Sequence, residues 1–414
     1  MKEIYLDHAA TTKLDERVLK KMTPYFLEYY GNANSQHGMG RDAQKAVDEA
    51  RDEIAALIGA KPSEIYFTSG GTEADNWVLR GVCHALREKG RHVITTKIEH
   101  AAMLTTAAEL EKDGFEFTFV GVDKEGFVDI EELKKAIRPD TILISCMYAN
   151  NEVGTIEPIK EIVEIAHSHG ILCHTDAVQA MGAMRINVAD LGVDFMSFSA
   201  HKFNGPKGIG ALYIKTGARI GRLISGGHQE RTRRGGTTNV PGAVGFAEAL
   251  RLTYETLEED AKYVASLRDR FIKRVTEEIP YVKLNGPKDG IKRLPNNADF
   301  SFEYIEGESI LFSLDLAGIA VSSGSACSSG SLEPSHVLLA LGVVRTAVAL
   351  VIFRAAPELA GRVLAQVVQQ SLPVKAETKA VSAHQVPMMR DSLEMCQRLH
   401  GGSSRGQKIR MNLL

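Results

Sequence analysis

Between residues 62 and 214, short apolar runs rich in β-branched residues alternate with longer stretches whose apolar positions recur at helical spacing. The runs are 65–68, 92–95, 116–121, 141–147, 171–175, 195–199 and 209–214. Short runs bounded by turn formers read as strands, and the stretches between them as helices. The alternation predicts an α/β fold, a mostly parallel seven-stranded sheet wrapped by helices. Ahead of it, residues 3–12 read as a short strand entering a polar turn. Residues 15–29 carry Val18, Leu19, Met22 and Phe26 at helical spacing. Residues 41–58 form an amphipathic helix with Ala46, Val47, Ala50, Ile54 and Leu57 on one face. After the alternating region, a long helix over 240–278 crosses to strand-like 299–302 and 318–322 with a helix between, and 347–353 suits a further strand. The organisation expected is a large domain over 13–255 and a smaller α+β domain made of 1–12 and 256–356. Residues 357–414, polar and poorly periodic from Ser371 onward, are expected to form a partly disordered tail.

Composition narrows the function classes. The chain has 414 residues, 44% of them hydrophobic and 24% charged, as in ordinary globular proteins. A formal net charge of −3 offers no electrostatic attraction to nucleic acid or an anionic membrane. No apolar run approaches bilayer length, and the start shows no charged-then-apolar leader, so a cytoplasmic location is expected. The five cysteines, Cys83, Cys146, Cys173, Cys327 and Cys396, are odd in number and scattered. That pattern suits neither a disulfide framework nor a zinc site.

Candidate chemistry concentrates in residues 194–210, where a buried strand ends in Ser199-Ala-His201-Lys202 and a Gly/Pro-rich turn. A lysine at the mouth of such a strand pairs with an acid, snorkels to the surface, or becomes a neutral amine able to form a Schiff base. Residues 67–76 place Gly70, Gly71 and Thr72 between a strand and a helix, a turn whose backbone N–H groups suit an anion. Asp176 leaves the strand 171–175 at the edge where open parallel sheets bind ligands, though a helix cap is the ordinary use of such a residue. Glu99-His100 and Asn150-Asn151-Glu152 follow two other strands and would otherwise be plain polar turns. Cys327 lies in Ser322-Ser-Gly-Ser-Ala-Cys-Ser-Ser-Gly-Ser331, a run of small residues. A nucleophile that meets a substrate and then delivers its cargo needs such a loop, although an incidental thiol in a flexible loop is the commoner case.

Taken in order, these features are far more specific than any one of them. The stretches 5–12, 68–76, 150–154, 174–179, 199–210, 234–239 and 323–328 resemble pyridoxal-phosphate (PLP) enzymes of the aspartate-aminotransferase fold. Within that superfamily the chain resembles the cysteine desulfurases of the NifS/IscS type, from residue 3 to about residue 342. The resemblance implies a homodimer that converts L-cysteine to L-alanine and holds the sulfur as a persulfide on Cys327. The sulfur then passes to an acceptor or scaffold protein for iron–sulfur cluster assembly or thiolation. It implies that Lys202 forms the Schiff base with PLP and shuttles protons, that Asp176 pairs with the ring nitrogen, and that His100 stacks on the ring as acid/base. Gln179 would bond the ring hydroxyl. Gly71, Thr72, Ser199 and His201 would hold the phosphate, with Thr237 reaching in from the partner subunit, and Asn151 would contact cofactor and substrate. No resident metal is implied, only passing contact of Cys327 with a nascent iron–sulfur cluster. The other four cysteines read as inert filler.

After Gly342 the family pattern fails. Where the family has a His-Gly-Ser-x-Arg-like run whose arginine binds the substrate carboxylate, this chain reads Val343-Val-Arg-Thr-Ala-Val-Ala-Leu-Val-Ile-Phe-Arg354. Arg354 falls near the expected place and is the candidate for that contact. The change is abrupt, and either a reading-frame shift near codon 343 or divergence would explain it. Two rival readings follow: a selenocysteine lyase or other PLP lyase, and a PLP-binding protein impaired in catalysis by its altered C-terminus.

Overall fold

The structure, a computed structural model, describes residues 3–323, 335–343 and the backbone of 347–352. All of these belong to a compact unit, Met1–Leu372; a second unit, Pro373–Leu414, lies outside the described residues, as do Cys327, Arg354 and Cys396.

The chain opens with β1 (Ile4–Tyr5), α1 (Glu16–Met22), α2 (Pro24–Leu27) and α3 (Gly38–Ile58). Then come β2 (Ile65–Thr68), α4 (Gly71–Leu86), β3 (His92–Thr96), α5 (Ala101–Lys112), β4 (Glu116–Val120) and α6 (Ile130–Ala136). The alternation continues through β5 (Thr141–Ser145), α7 (Ile159–Ser168), β6 (Leu172–Asp176), α8 (Val188–Leu191), β7 (Phe195–Ser199) and β8 (Gly210–Ile214). The later part holds α9 (Val240–Glu278), β9 (Val282–Asn285), β10 (Asn297–Phe302), α10 (Gly307–Leu316) and β11 (Ile319–Ala320). The last described elements are α11 (His336–Ala340) and β12 (Ala347–Ile352).

The seven runs of the alternating region form one sheet in the order β2-β8-β7-β6-β5-β3-β4. Only β8 runs against the others. Every residue of β5 and β7 is buried, as expected of central strands covered by helices on both faces. Because six strands point the same way, Thr68, Thr96, Asp176 and Ser199 end at one edge of the sheet.

Where the periodicity suggested one helix over 15–29, the chain breaks between α1 and α2. Pro24 has no N–H to continue α1, so it starts a new turn instead. Phe26 is consequently 56% exposed and joins no core. The helix read from 41 begins earlier, at Gly38, capped by the His37 ring nitrogen accepting the Gly40 N–H at 3.2 Å. Strand β9 has no counterpart among the runs read from the sequence; it pairs with β10, whose other edge takes β12. β1 pairs in parallel with β11, 315 residues further on, with Ile4 opposite Ile319. The 39-residue α9 spans about 58 Å. Its first half packs Phe246 and Leu250 into the core of the large sheet, and its second half sets Phe271 and Val275 against Phe300 of β10.

One buried ion pair ties α3 to the segment after β8. Arg51 donates to both carboxylate oxygens of Glu230 at 2.9 Å, and Glu230 also accepts the Phe67 N–H at 3.1 Å. Glu230, Arg231 and Thr232 hold φ of 46°, 55° and 69°, a strained run for residues with a Cβ. Arg51→Met would leave Glu230 buried without its cation, a loss of about 3–5 kcal/mol. The expected result is a lower urea midpoint at unchanged slope. A change under about 1 kcal/mol would mean that the pair contributes no more than a surface one.

Candidate active site

The carboxyl edge of the sheet opens into a cavity of about 300 Å³. Gly71, Thr72, His100, Asn151, Asp176, Gln179, Ser199, His201 and Lys202 all line it. Nine candidates that are spread over 132 positions of sequence therefore meet in one place. Thr237 does not join them: it lines a separate recess of about 130 Å³ beside Phe67–Ser69 and Gly208–Ile209. Cys327 and Arg354 lie outside the described residues, but Ser322 and Ser323 line the cavity.

Local structure explains each position. β2 ends at Thr68, and the chain turns through Gly70 into α4, whose N-terminus carries no side-chain cap. The first N–H groups of this 16-residue helix form an anion-binding end. Gly210 must lack a side chain here, because a Cβ would lie 2.7 Å from the Gly70 Cα and 2.5 Å from the Phe198 carbonyl oxygen. His100 caps α5, its Nδ1 accepting the Ala102 N–H at 3.1 Å, so the neutral ring carries its proton on Nε2. Asn150 is buried, and its side-chain oxygen accepts the N–H groups of Glu152 and Val153, which builds the turn and leaves Asn151 to face the cavity. Lys202 closes a 3₁₀ turn after β7, and its Nζ donates to the carbonyls of Ala9 and, at 3.1 Å, Ala10. Gln179 Nε2 donates to the same Ala9 carbonyl at 3.1 Å.

The floor is acidic and buried. Asp176 is 5% exposed and accepts the Val178 N–H at 2.9 Å. Burial raises its carboxyl, while His100, that N–H and the Lys202 charge pull it back. Asp75, one helical turn beyond Thr72, is raised well above the ordinary range by burial and by the Asp176 charge. Glu99 behind it is pushed up to about 8 by burial, although it accepts the Met147 N–H and the Thr96 hydroxyl. His174 sits between the hydroxyls of Ser145 and Ser197 and is lowered to about 3 by burial, so it brings no charge. His201 is lowered to about 4 by burial and by Lys202 and Lys207. Two buried carboxyls on one floor favour a cationic N–H donor as the ligand of Asp176.

The cavity matches pyridoxal phosphate at four points. The uncapped end of α4 suits the phosphate, Asp176 suits a pyridinium N–H, Gln179 suits a ring hydroxyl, and Lys202 supplies an amine for a carbonyl carbon. The other cysteines among the described residues do not compete as nucleophiles. Cys83, Cys146 and Cys173 are buried, and burial raises each thiol, that of Cys83 to about 12. Asp75 and the Ala9–Ala10 carbonyls were absent from the candidates. The position of Asp75, three residues beyond Thr72 on one helix face, was the available signal for it; nothing local marks the carbonyls.

The model of the family described as "Aminotransferase class-V" matches residues 4–355. A cysteine desulfurase IscS of Dictyoglomus turgidum is 55% identical over 342 residues, covering 83% of this chain and 86% of that protein. Among solved structures, a NifS-like protein superposes with a TM-score of 0.82 at 39% identity, covering 89% of this chain and 98% of that one. A structure described as SspA in complex with cysteine gives 0.75 at 33% identity, over 85% and 99%. The chain belongs to the class-V aminotransferase family, within its NifS/IscS-type cysteine desulfurases. Pyridoxal phosphate is the cofactor of that family.

Proposed function

We propose that this protein is a PLP-dependent cysteine desulfurase that converts L-cysteine to L-alanine and passes the sulfur, through a persulfide on Cys327, to an acceptor for iron–sulfur cluster assembly or thiolation. The observation that carries this reading is the meeting of Lys202, His100, the buried Asp176 and the uncapped end of α4 around one cavity. Bound pyridoxal phosphate supplies an electron sink conjugated to the substrate Cα.

The chain does the rest. Gly71 and Thr72 offer backbone and hydroxyl donors to the phosphate, joined by Ser199 and by His201, which at neutral pH is an uncharged ring. Asp176 keeps the ring nitrogen protonated, and its burial strengthens that pairing. Gln179 bonds the ring hydroxyl. Lys202 holds the cofactor and, once its amine is released, takes the proton from the cysteine Cα. His100 stacks on the ring, and the proton on Nε2 makes it an acid facing the substrate. Asn151 and Arg354 hold the substrate, Arg354 at the carboxylate.

The Cys327 thiolate attacks the sulfur of bound cysteine. The new S–S bond forms as the C–S bond breaks, the electron pair stays with the carbon fragment, and a proton taken up at Cβ together with return of the Cα proton from Lys202 gives alanine. Both described flanks of this loop support its role. On one side Ser322 and Ser323 line the cavity; on the other, Ser335 bonds Glu152 and His336 Nε2 bonds the Glu99 carbonyl at 2.9 Å.

The reading includes a homodimer, because Thr237 faces a recess away from its own cavity and so suits the partner's phosphate. It includes a cofactor domain over 13–255 and a smaller domain of 1–12 and 256–356 that carries Cys327. It also places the protein in the cytoplasm, a reducing compartment that suits the free thiols of the described cysteines. Among the described residues no helix is long and apolar enough to cross a membrane.

The test is direct. Incubation with L-cysteine and a reducing thiol should release alanine and sulfide in equal amounts, and borohydride should fix the cofactor on Lys202. Cys327→Ser should still bind the cofactor yet form no persulfide and release alanine at least about a hundredfold more slowly. A label on another lysine, or parental turnover by Cys327→Ser, would overturn the assignment.

A further inference from the structure

We propose that a second cavity behind Lys202 binds water and is the route by which the lysine amine trades protons with solvent while cofactor and substrate occupy the main cavity. The inference rests on the assignment of Lys202 above and concerns a cavity to which that assignment gave no role.

The second cavity, of about 50 Å³, lies between α9, the turn after Gln179 and the chain at Asn296. Among the described residues only Gln179 and Lys202 line both it and the main cavity. A strap formed by residues 4–12 completes the partition. The N–H groups of Ile4 and Leu6 donate to the carbonyls of Gly318 and Ala320 at 2.8 and 2.9 Å, which fastens one end. The Thr12 N–H and hydroxyl donate to the His201 carbonyl at 2.9 and 2.8 Å, which fastens the other. Between these fixings the Ala9 carbonyl accepts from Lys202 Nζ and, at 3.1 Å, from Gln179 Nε2. Ala9 and Ala10 border the main cavity, whereas His8 and Thr12 border the second. The lysine is therefore part of the wall and touches both sides of it.

Three observations point to water as the ligand. The cavity has room for more than one water at about 10–15 Å³ each, and is far below the about 300–1,000 Å³ of an ordinary small-molecule site. Asn296 Oδ1 is buried and accepts no hydrogen bond from the protein, and an amide oxygen so placed takes a water as its donor. The polar lining runs from the buried Thr12 and Thr253 to Asp260, which is exposed on α9 and marks the mouth. Cofactor and cysteine in the main cavity exclude water from that side of Lys202. The proton taken from the cysteine Cα makes Lys202 an ammonium. Through the second cavity the ammonium gives a proton to water and takes another back, so that charge and electron count stay unchanged.

The test is isotopic. L-Cysteine deuterated at Cα is turned over in ordinary water, and the deuterium left at the alanine Cα is read by mass spectrometry. An ammonium cut off from water would carry one deuteron among its three hydrogens and return about a third of the label. Exchange with water should hold the parent below about a tenth. Ala261→Leu and Ala183→Leu, which fill the cavity from two sides, should raise the retained share at least about threefold. Ala261→Ser, small and polar, should match the parent. Equal retention in the parent and both filled variants, or a third or more in the parent, would overturn the proposal. A high-resolution crystal structure of the holoenzyme gives a reading that needs neither turnover nor variants. Water should bond Asn296 Oδ1 and continue toward Lys202, and a cavity without it would overturn the proposal. A misassigned Lys202 is revealed separately, by borohydride labelling.

Discussion

Lys202→Ala is expected to lower desulfuration by at least about 10²–10⁴-fold, the usual loss when a positioned proton-transfer group is removed. No other lysine lines the cavity among the described residues, so none is placed to take over. The 3₁₀ turn that carries Lys202 is held by the Thr12–His201 bonds and not by the lysine side chain, so the fold should survive. Cofactor should still bind through the α4 end and Asp176 but exchange readily on dialysis, and borohydride should no longer fix it. A small primary amine added at high concentration should restore part of the turnover, which a misfolded protein would not allow. Turnover within about tenfold of the parent would show that another base serves the Cα.

Asp176→Asn carries the second large effect. The variant keeps the acceptor for the Val178 N–H but loses the charge that would hold a proton on the ring nitrogen. A lost charge-assisted hydrogen bond corresponds to about 1.5–3 kcal/mol, or about ten- to a hundredfold in cofactor affinity. Turnover should fall further, because a neutral ring withdraws electrons poorly. The cofactor-free protein should respond in the opposite sense. Burial raises the Asp176 pKa above its unfolded value, so its contribution to stability is present at low pH and lost as pH rises through the raised value. Asn removes that loss. Urea unfolding of the two cofactor-free proteins should therefore agree in acid and diverge in favour of the variant as the pH rises past the ordinary carboxylate range. Equal cofactor affinity in parent and variant would remove Asp176 from the ring nitrogen.

The apolar runs by themselves determined the seven-stranded sheet and the long α9, because alternation and helical spacing are local properties that a strand or helix expresses wherever it packs. The same runs placed Thr72, Asp176, Ser199 and Lys202 at strand ends, and parallel strands necessarily share that edge. Pro24 broke α1 by a local rule, so its effect too was open to reading. Strand β9 was a different matter: Val282–Asn285 alternates too briefly to stand out, and it is a strand because β10 lies beside it. Asp75 joined the floor only when α4 lay against β7, where Ser197 reaches it. Thr237 separated from the N-terminus of α4 because the strained turn at Glu230, held by Arg51, carries the chain to another recess. The strap over Lys202 depends on β1 meeting β11, and on backbone carbonyls that no side-chain pattern records. Contacts between residues hundreds of positions apart are decided by which buried surfaces fit together, and that is a property of the folded chain alone.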